Sequence, residues 1–65
     1  MPVIKIEMWK GRTHEQKKKL VEKVTSATVE SIGCPPEAVQ IIINEVDKEN
    51  WGLAGQLASE KAPGK

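Results

Sequence analysis

Phenylalanine and tyrosine are absent from this 65-residue chain, and Trp9 and Trp51 are its two aromatic side chains. No broader platform for stacking bases can be built from them. Cysteine occurs once, at Cys34, and histidine once, at His14. An internal disulfide is therefore impossible, and a structural zinc site lacks ligands. Neither sign of charge dominates: ten Lys and Arg face nine Asp and Glu, for a formal net charge of +1. A dedicated nucleic-acid binder is usually more basic than this. No apolar run approaches the roughly 20 residues of a membrane span, and Met1 to Trp9 lacks the long apolar region of a signal peptide. Nucleic acid and membrane are thus not expected as partners, and a single thiol fits a reduced, cytoplasmic location. There is no glycine-rich phosphate loop and no recognisable serine–histidine–aspartate context, so neither a metal nor an organic cofactor is expected. The length allows one domain, residues 1–65. A domain this small, without disulfide or metal, is expected to oligomerise.

Periodicity gives an α/β reading. Val3 to Trp9 alternates as a strand, with Pro2, Ile4, Ile6 and Met8 on an apolar face and Val3, Lys5, Glu7 and Trp9 on a mixed one. Thr13 and Gln16 have the capping-box spacing that opens a helix. That helix is expected from His14 to Ile32, with Leu20, Val21, Val24, Ala27, Thr28 and Ile32 as its buried stripe. Lys17, Lys18, Lys19, Glu22, Lys23 and Glu30 are expected mostly to face water. Gly33 stops the helix, and Pro35 and Pro36 prevent its continuation. Val39 to Val46 reads as a second strand, so a parallel β-α-β unit with a right-handed crossover is predicted. Turn residues around Trp51, with Gly52 and Gly55, suggest a short hairpin or arm suited to covering a neighbouring subunit. Residues from about 60 to 65 read as a frayed tail.

Chemistry-bearing groups are few. His14, in the first helical turn, reads as solvated, Cys34 as a structural or neutral thiol, and Lys17 to Lys19 as a solvated helix face. Pro2 has two readings. Proline is tolerated at a strand edge because its missing N–H is not needed there. Loss of Met1, favoured before a small second residue, would instead expose a secondary amine.

The segments Pro2-Val3-Ile4-Lys5-Ile6, Gly11-Arg12-Thr13 and Glu15-Gln16-Lys17 resemble the 4-oxalocrotonate tautomerase family. The run Val39 to Glu45, Asp47-Lys48 and Trp51-Gly52-Leu53-Ala54-Gly55 continues the likeness, which spans Pro2 to about Ala58. The resemblance implies an isomerase in which the amine of Pro2 shuttles a proton between an enol oxygen and a carbon. It implies that Arg12 binds a substrate carboxylate, and that Trp51 lines the pocket where the family usually has phenylalanine. It also implies a homohexamer built as a trimer of dimers. Gln40 stands where the prototype carries a second arginine; it can donate hydrogen bonds but brings no charge. A dicarboxylate such as 2-hydroxymuconate is then held less firmly, and a monocarboxylate enol becomes a competing substrate.

These roles are physically coherent. Apolar surroundings and a nearby guanidinium both favour the neutral amine that a base requires. Arg12 can grip a carboxylate through two hydrogen bonds and stabilise a developing dienolate. An extended strand at roughly 3.3 Å per residue keeps Pro2 and Arg12 of one chain more than about 20 Å apart. If both act in one site, Arg12 comes from another subunit. Two alternatives remain beside this reading. One is a dehalogenase or hydratase of the same superfamily, although such dehalogenases tend to have arginine where this chain has Trp9 and a carboxylate where it has Leu53. The other is a non-enzymatic interaction module using the lysine-rich helix.

Overall fold

Apolar side chains alternating with polar ones make two seven-residue strands, and the capped segment between them makes the helix that crosses from one to the other. The computed structural model describes residues 2–61. Its main elements are β1 (Val3–Trp9), α1 (His14–Ile32), β2 (Gln40–Val46), β3 (Gly52–Leu53), β4 (Gln56–Leu57) and α2 (Ala58–Lys61). Short 3-10 turns lie at Pro36–Ala38 and Lys48–Asn50. β1 and β2 pair in parallel, from Val3 opposite Gln40 to Trp9 opposite Val46.

The start and stop of α1 follow their local chemistry. The Gln16 N–H donates to Thr13 Oγ1 at 3.1 Å, and the Thr13 N–H donates to Gln16 Oε1 at 2.9 Å. These bonds satisfy donors that the first helical turn would otherwise leave unpaired. At the other end Gly33 takes φ 74° and its N–H donates to the Val29 carbonyl. A left-handed residue there costs glycine little because it has no Cβ.

The helix face turned to the sheet differs in part from expectation. Leu20, Val21, Val24 and Thr28 are half-buried as predicted, but Ala27 and Ile32 are exposed, Ile32 by 63%. Ala27 sits at the angular edge of the stripe. Ile32 is stranded by length: nineteen helical residues span about 28 Å, whereas seven strand residues span about 23 Å, so the last turn overhangs the sheet. Lys17, expected to face water, falls within the stripe. Its Nζ reaches Glu45 Oε1 on β2 at 3.0 Å, with both side chains about one-third exposed or less.

Ile4, Ile6, Met8, Ile41 and Ile43 are half-buried on the helix side of the sheet. On the opposite side Val3, Lys5, Glu7, Gln40, Ile42 and Asn44 are exposed. Val3 and Ile42 are each half exposed despite being apolar, and Asn44 Nδ2 donates to Glu7 Oε1 at 2.8 Å. Among the described residues only Ala58 is fully buried, and no large side chain is.

β2 begins at Gln40 rather than Val39, because the Val39 N–H is used to close the preceding 3-10 turn on the Pro36 carbonyl. The arm is a hairpin, with Gly52 opposite Leu57 and Leu53 opposite Gln56. Ala54 and Gly55 both have positive φ, at 55° and 78°, the sign pattern of a tight type I′ loop. Glu60 and Lys61 belong to the short α2 rather than to a frayed tail; the rest of that expected tail, 62–65, lies outside the described residues. Among the described residues no helix is long and apolar enough to cross a membrane.

Candidate functional site

Pro2 enters the sheet at the beginning of β1. Its carbonyl accepts from the Gln40 N–H at 3.0 Å, so the ladder extends one residue beyond Val3 and places Gln40 on the adjacent strand. Pro2 is half-buried and Gln40 exposed. This end of the sheet therefore offers the proline and an uncharged amide, with no guanidinium.

Arg12 lies at the other end, in the connection between β1 and α1, immediately before the capping Thr13. The rigid cap fixes the backbone next to it. With Met8, Gln16, Lys17 and Leu20 it lines an open concavity of about 220 Å³ between the end of β1 and the first turns of α1. Its neighbours Lys10 and Lys17 are neutralised by Asp47 and Glu45, at 3.6 and 3.0 Å. Arg12 itself is exposed and forms no ion pair with the described residues. It is a cation available to an anionic ligand.

Trp51 is on this same end. It opens the hairpin arm, and its carbonyl accepts from the Ala58 N–H at 2.7 Å, which closes the base of the arm. Its ring meets that of Trp9 edge to face, with centroids 6.0 Å apart and an interplanar angle of 81°. Lys48 Nζ stands 4.8 Å from the centroid of the Trp9 ring, a cation–π contact. Trp9 Nε1 is buried and has no hydrogen-bond partner among the described residues. An unpaired buried donor costs about 1–3 kcal/mol, which the ring contacts must offset.

The four residues singled out in the sequence thus divide into pairs. Pro2 and Gln40 share one end of the sheet, Arg12 and Trp51 the other, and β1 holds the two about 20 Å or more apart. Trp51 does not desolvate Pro2 of its own chain. The pairing of Trp51 with Trp9 escaped the sequence reading, which placed Trp9 only on a mixed strand face. The available signal was an indole on the last rung of a strand in a chain with a single other aromatic residue.

A family model described as tautomerase enzyme matches residues 2–61. A 2-hydroxymuconate tautomerase of Comamonas testosteroni is 52% identical over 60 residues, covering 92% of this chain and 95% of that protein. Among solved structures, YwhB, a homologue of 4-oxalocrotonate tautomerase, superimposes with a TM-score of 0.88 at 41% identity, covering 91% of this chain and 97% of that one. A 4-oxalocrotonate tautomerase isozyme from Methylibium petroleiphilum gives a TM-score of 0.90 at 38% identity, covering 92% and 94%.

Proposed function

The chain belongs to the 4-oxalocrotonate tautomerase family of tautomerase enzymes, and on that premise we propose that Pro2, freed of Met1, is the base of a site completed by a second copy. The enzyme is an isomerase. In this reading its substrates are 2-hydroxydienoates or enolpyruvates, 2-hydroxymuconate-like carboxylates. The Pro2 amine takes the proton of the enol hydroxyl and returns it to carbon, giving the keto acid. Arg12 of the second copy holds the substrate carboxylate and stabilises charge on the dienolate. Trp51 of that same copy excludes water from the amine and so favours its neutral form. Gln40 donates a hydrogen bond from beside Pro2.

One observation carries this reading: Pro2 and Arg12 lie beyond opposite ends of one seven-residue strand. Neither end is a site alone. Two copies in opposed orientation would bring the Pro2 end of one to the Arg12 end of the other. The exposed apolar pair Val3 and Ile42 on the helix-free face supports such an assembly. The hexamer implied by family resemblance, a trimer of dimers, would repeat this arrangement, in the cytoplasm.

Mass spectrometry should find the mature chain beginning at Pro2. Pro2→Ala should lower kcat/KM for enol ketonisation by about 100-fold or more, the usual scale of a positioned base. A variant with full activity would rule out the mechanism.

A further inference from the structure

We propose that Lys17 and Glu45 are positioning residues of this site. Their ion pair fixes the segment that carries Arg12, and so sets where a substrate carboxylate is held. The role rests on Arg12 as the carboxylate anchor and adds the pair that aims it.

Arg12 lies on a stretch of chain with little to hold it. The Lys10 N–H donates to the Val46 carbonyl at 3.0 Å, the last backbone bond from this strand to β2. Beyond it the chain turns at Gly11 and enters α1. The first apolar side chain of α1 to meet the sheet is Leu20. Among residues 10–19, Lys17 alone is not exposed. The opening of α1, His14 to Lys19, therefore has no apolar anchor, and a segment without buried apolar contacts is readily displaced.

Lys17 is bonded at both its ends. Its N–H donates to the Thr13 carbonyl at 3.0 Å, and its Nζ donates to Glu45 Oε1 at 3.0 Å. Thr13 follows Arg12 and is closed on Gln16 by the capping box. A continuous path runs from β2 through Glu45, Lys17 and Thr13 to Arg12. Glu45 stands opposite Met8 in the strand pairing, and Met8 lines the same concavity as Arg12 and Lys17. The segment is thus referenced to the floor of the site itself.

The other ion pair near Arg12 is weaker. Lys10 and Asp47 are 3.6 Å apart, with both side chains more than half exposed, and water screens such a pair heavily. Lys17 and Glu45 are closer and better shielded. Misplacing a binding group by about 1 Å can cost roughly 100-fold in rate. A pair that holds Arg12 within such a distance acts on the substrate and not only on stability.

The test is kcat and KM for ketonisation of 2-hydroxymuconate, measured on the assembled enzyme. Lys17→Met keeps the stem and removes the charge; it should raise KM about threefold to tenfold and leave kcat within about twofold. Glu45→Gln should do the same. If Lys17 bound the substrate itself, releasing it from Glu45 would lower KM, and that result overturns the proposal. Lys17→Arg keeps the charge and should bring KM within about twofold of the parent's. Unchanged KM in Lys17→Met and Glu45→Gln, or a fall in kcat alone as from a smaller folded fraction, also overturns it. If Lys17→Met does not assemble, Glu45→Gln is read by the same criteria. Calorimetric titration with cis,cis-muconate, a dicarboxylate without the enol hydroxyl, reads binding where turnover is lost. Arg12→Ala should weaken it, and adding Lys17→Met should weaken it no further, because the pair acts through Arg12. Additive weakening overturns the positioning role and leaves the anchor standing. Unweakened binding in Arg12→Ala defeats the anchor, and the pair's role with it.

Discussion

Trp9 and Trp51 meet edge to face with ring centroids 6.0 Å apart, although 42 positions separate them in the chain. The contact ties the C-terminal arm to the last rung of β1. Ala58, the one fully buried residue among those described, follows directly from the hairpin that the contact anchors. The arm is thus held by a few specific contacts and not by a broad core.

Trp51→Ala should therefore release the arm. The indole is only half-buried, so the cost should be about 2 kcal/mol, below the 3–5 typical of a core tryptophan. Urea unfolding at one fixed protein concentration measures it, since assembly makes stability concentration-dependent.

Thr13→Ala removes one arm of the capping box. A loss of about 1 kcal/mol is expected, read in the same unfolding experiment. Arg12 adjoins the cap, so KM for carboxylate enols should rise while kcat changes little.

Mixing two inactive variants tests whether the site is shared. On the proposed reading, Pro2→Ala lacks the base and Arg12→Ala lacks the anchor. Refolded together, they should regain turnover that neither parent shows, because Pro2 of one copy can meet Arg12 of the other. Absence of any recovery in mixed oligomers, demonstrated by native mass spectrometry, would mean that Pro2 and Arg12 do not act in one shared site.

Gln40→Arg adds a charge beside Pro2. A charge-assisted contact contributes about 1.5–3 kcal/mol, or about tenfold or more in kcat/KM. The gain should fall on dicarboxylates such as 2-hydroxymuconate and not on monocarboxylate enols. Equal gains on both classes would remove the charge explanation.

Ile42→Asp places a carboxylate at the centre of the helix-free face, opposite Lys5 in the strand pairing. The folded chain can solvate it, but an apposed copy cannot do so without cost. Light scattering should show smaller particles and activity should fall with assembly.

What the sequence disclosed was what local chemistry decides. Thr13, Gln16 and Gly33 bracket α1 at the residues expected, because caps act within a few positions. The hairpin followed from its glycines. Lys17 and Ile32 were misplaced for a tertiary reason: whether a residue on the helical stripe is covered depends on how far the sheet extends beneath it. The separation of Pro2 from Arg12 was legible because a strand has a fixed rise. The contact of Trp51 with Trp9, which puts it at the Arg12 end of the sheet, was not, since it depends on the direction in which the arm folds back after β2.

That fixed rise makes β1 a ruler. Its seven residues set how far apart the two proposed half-sites stand, whatever side chains they carry. Inserting two residues would preserve every in–out alternation, yet lengthen the span by about 6.6 Å. Each chain could still fold as before, while proline and guanidinium would no longer come into coincidence across the oligomer. Catalytic fit in this enzyme would then be encoded in the length of a strand as much as in the identity of its residues.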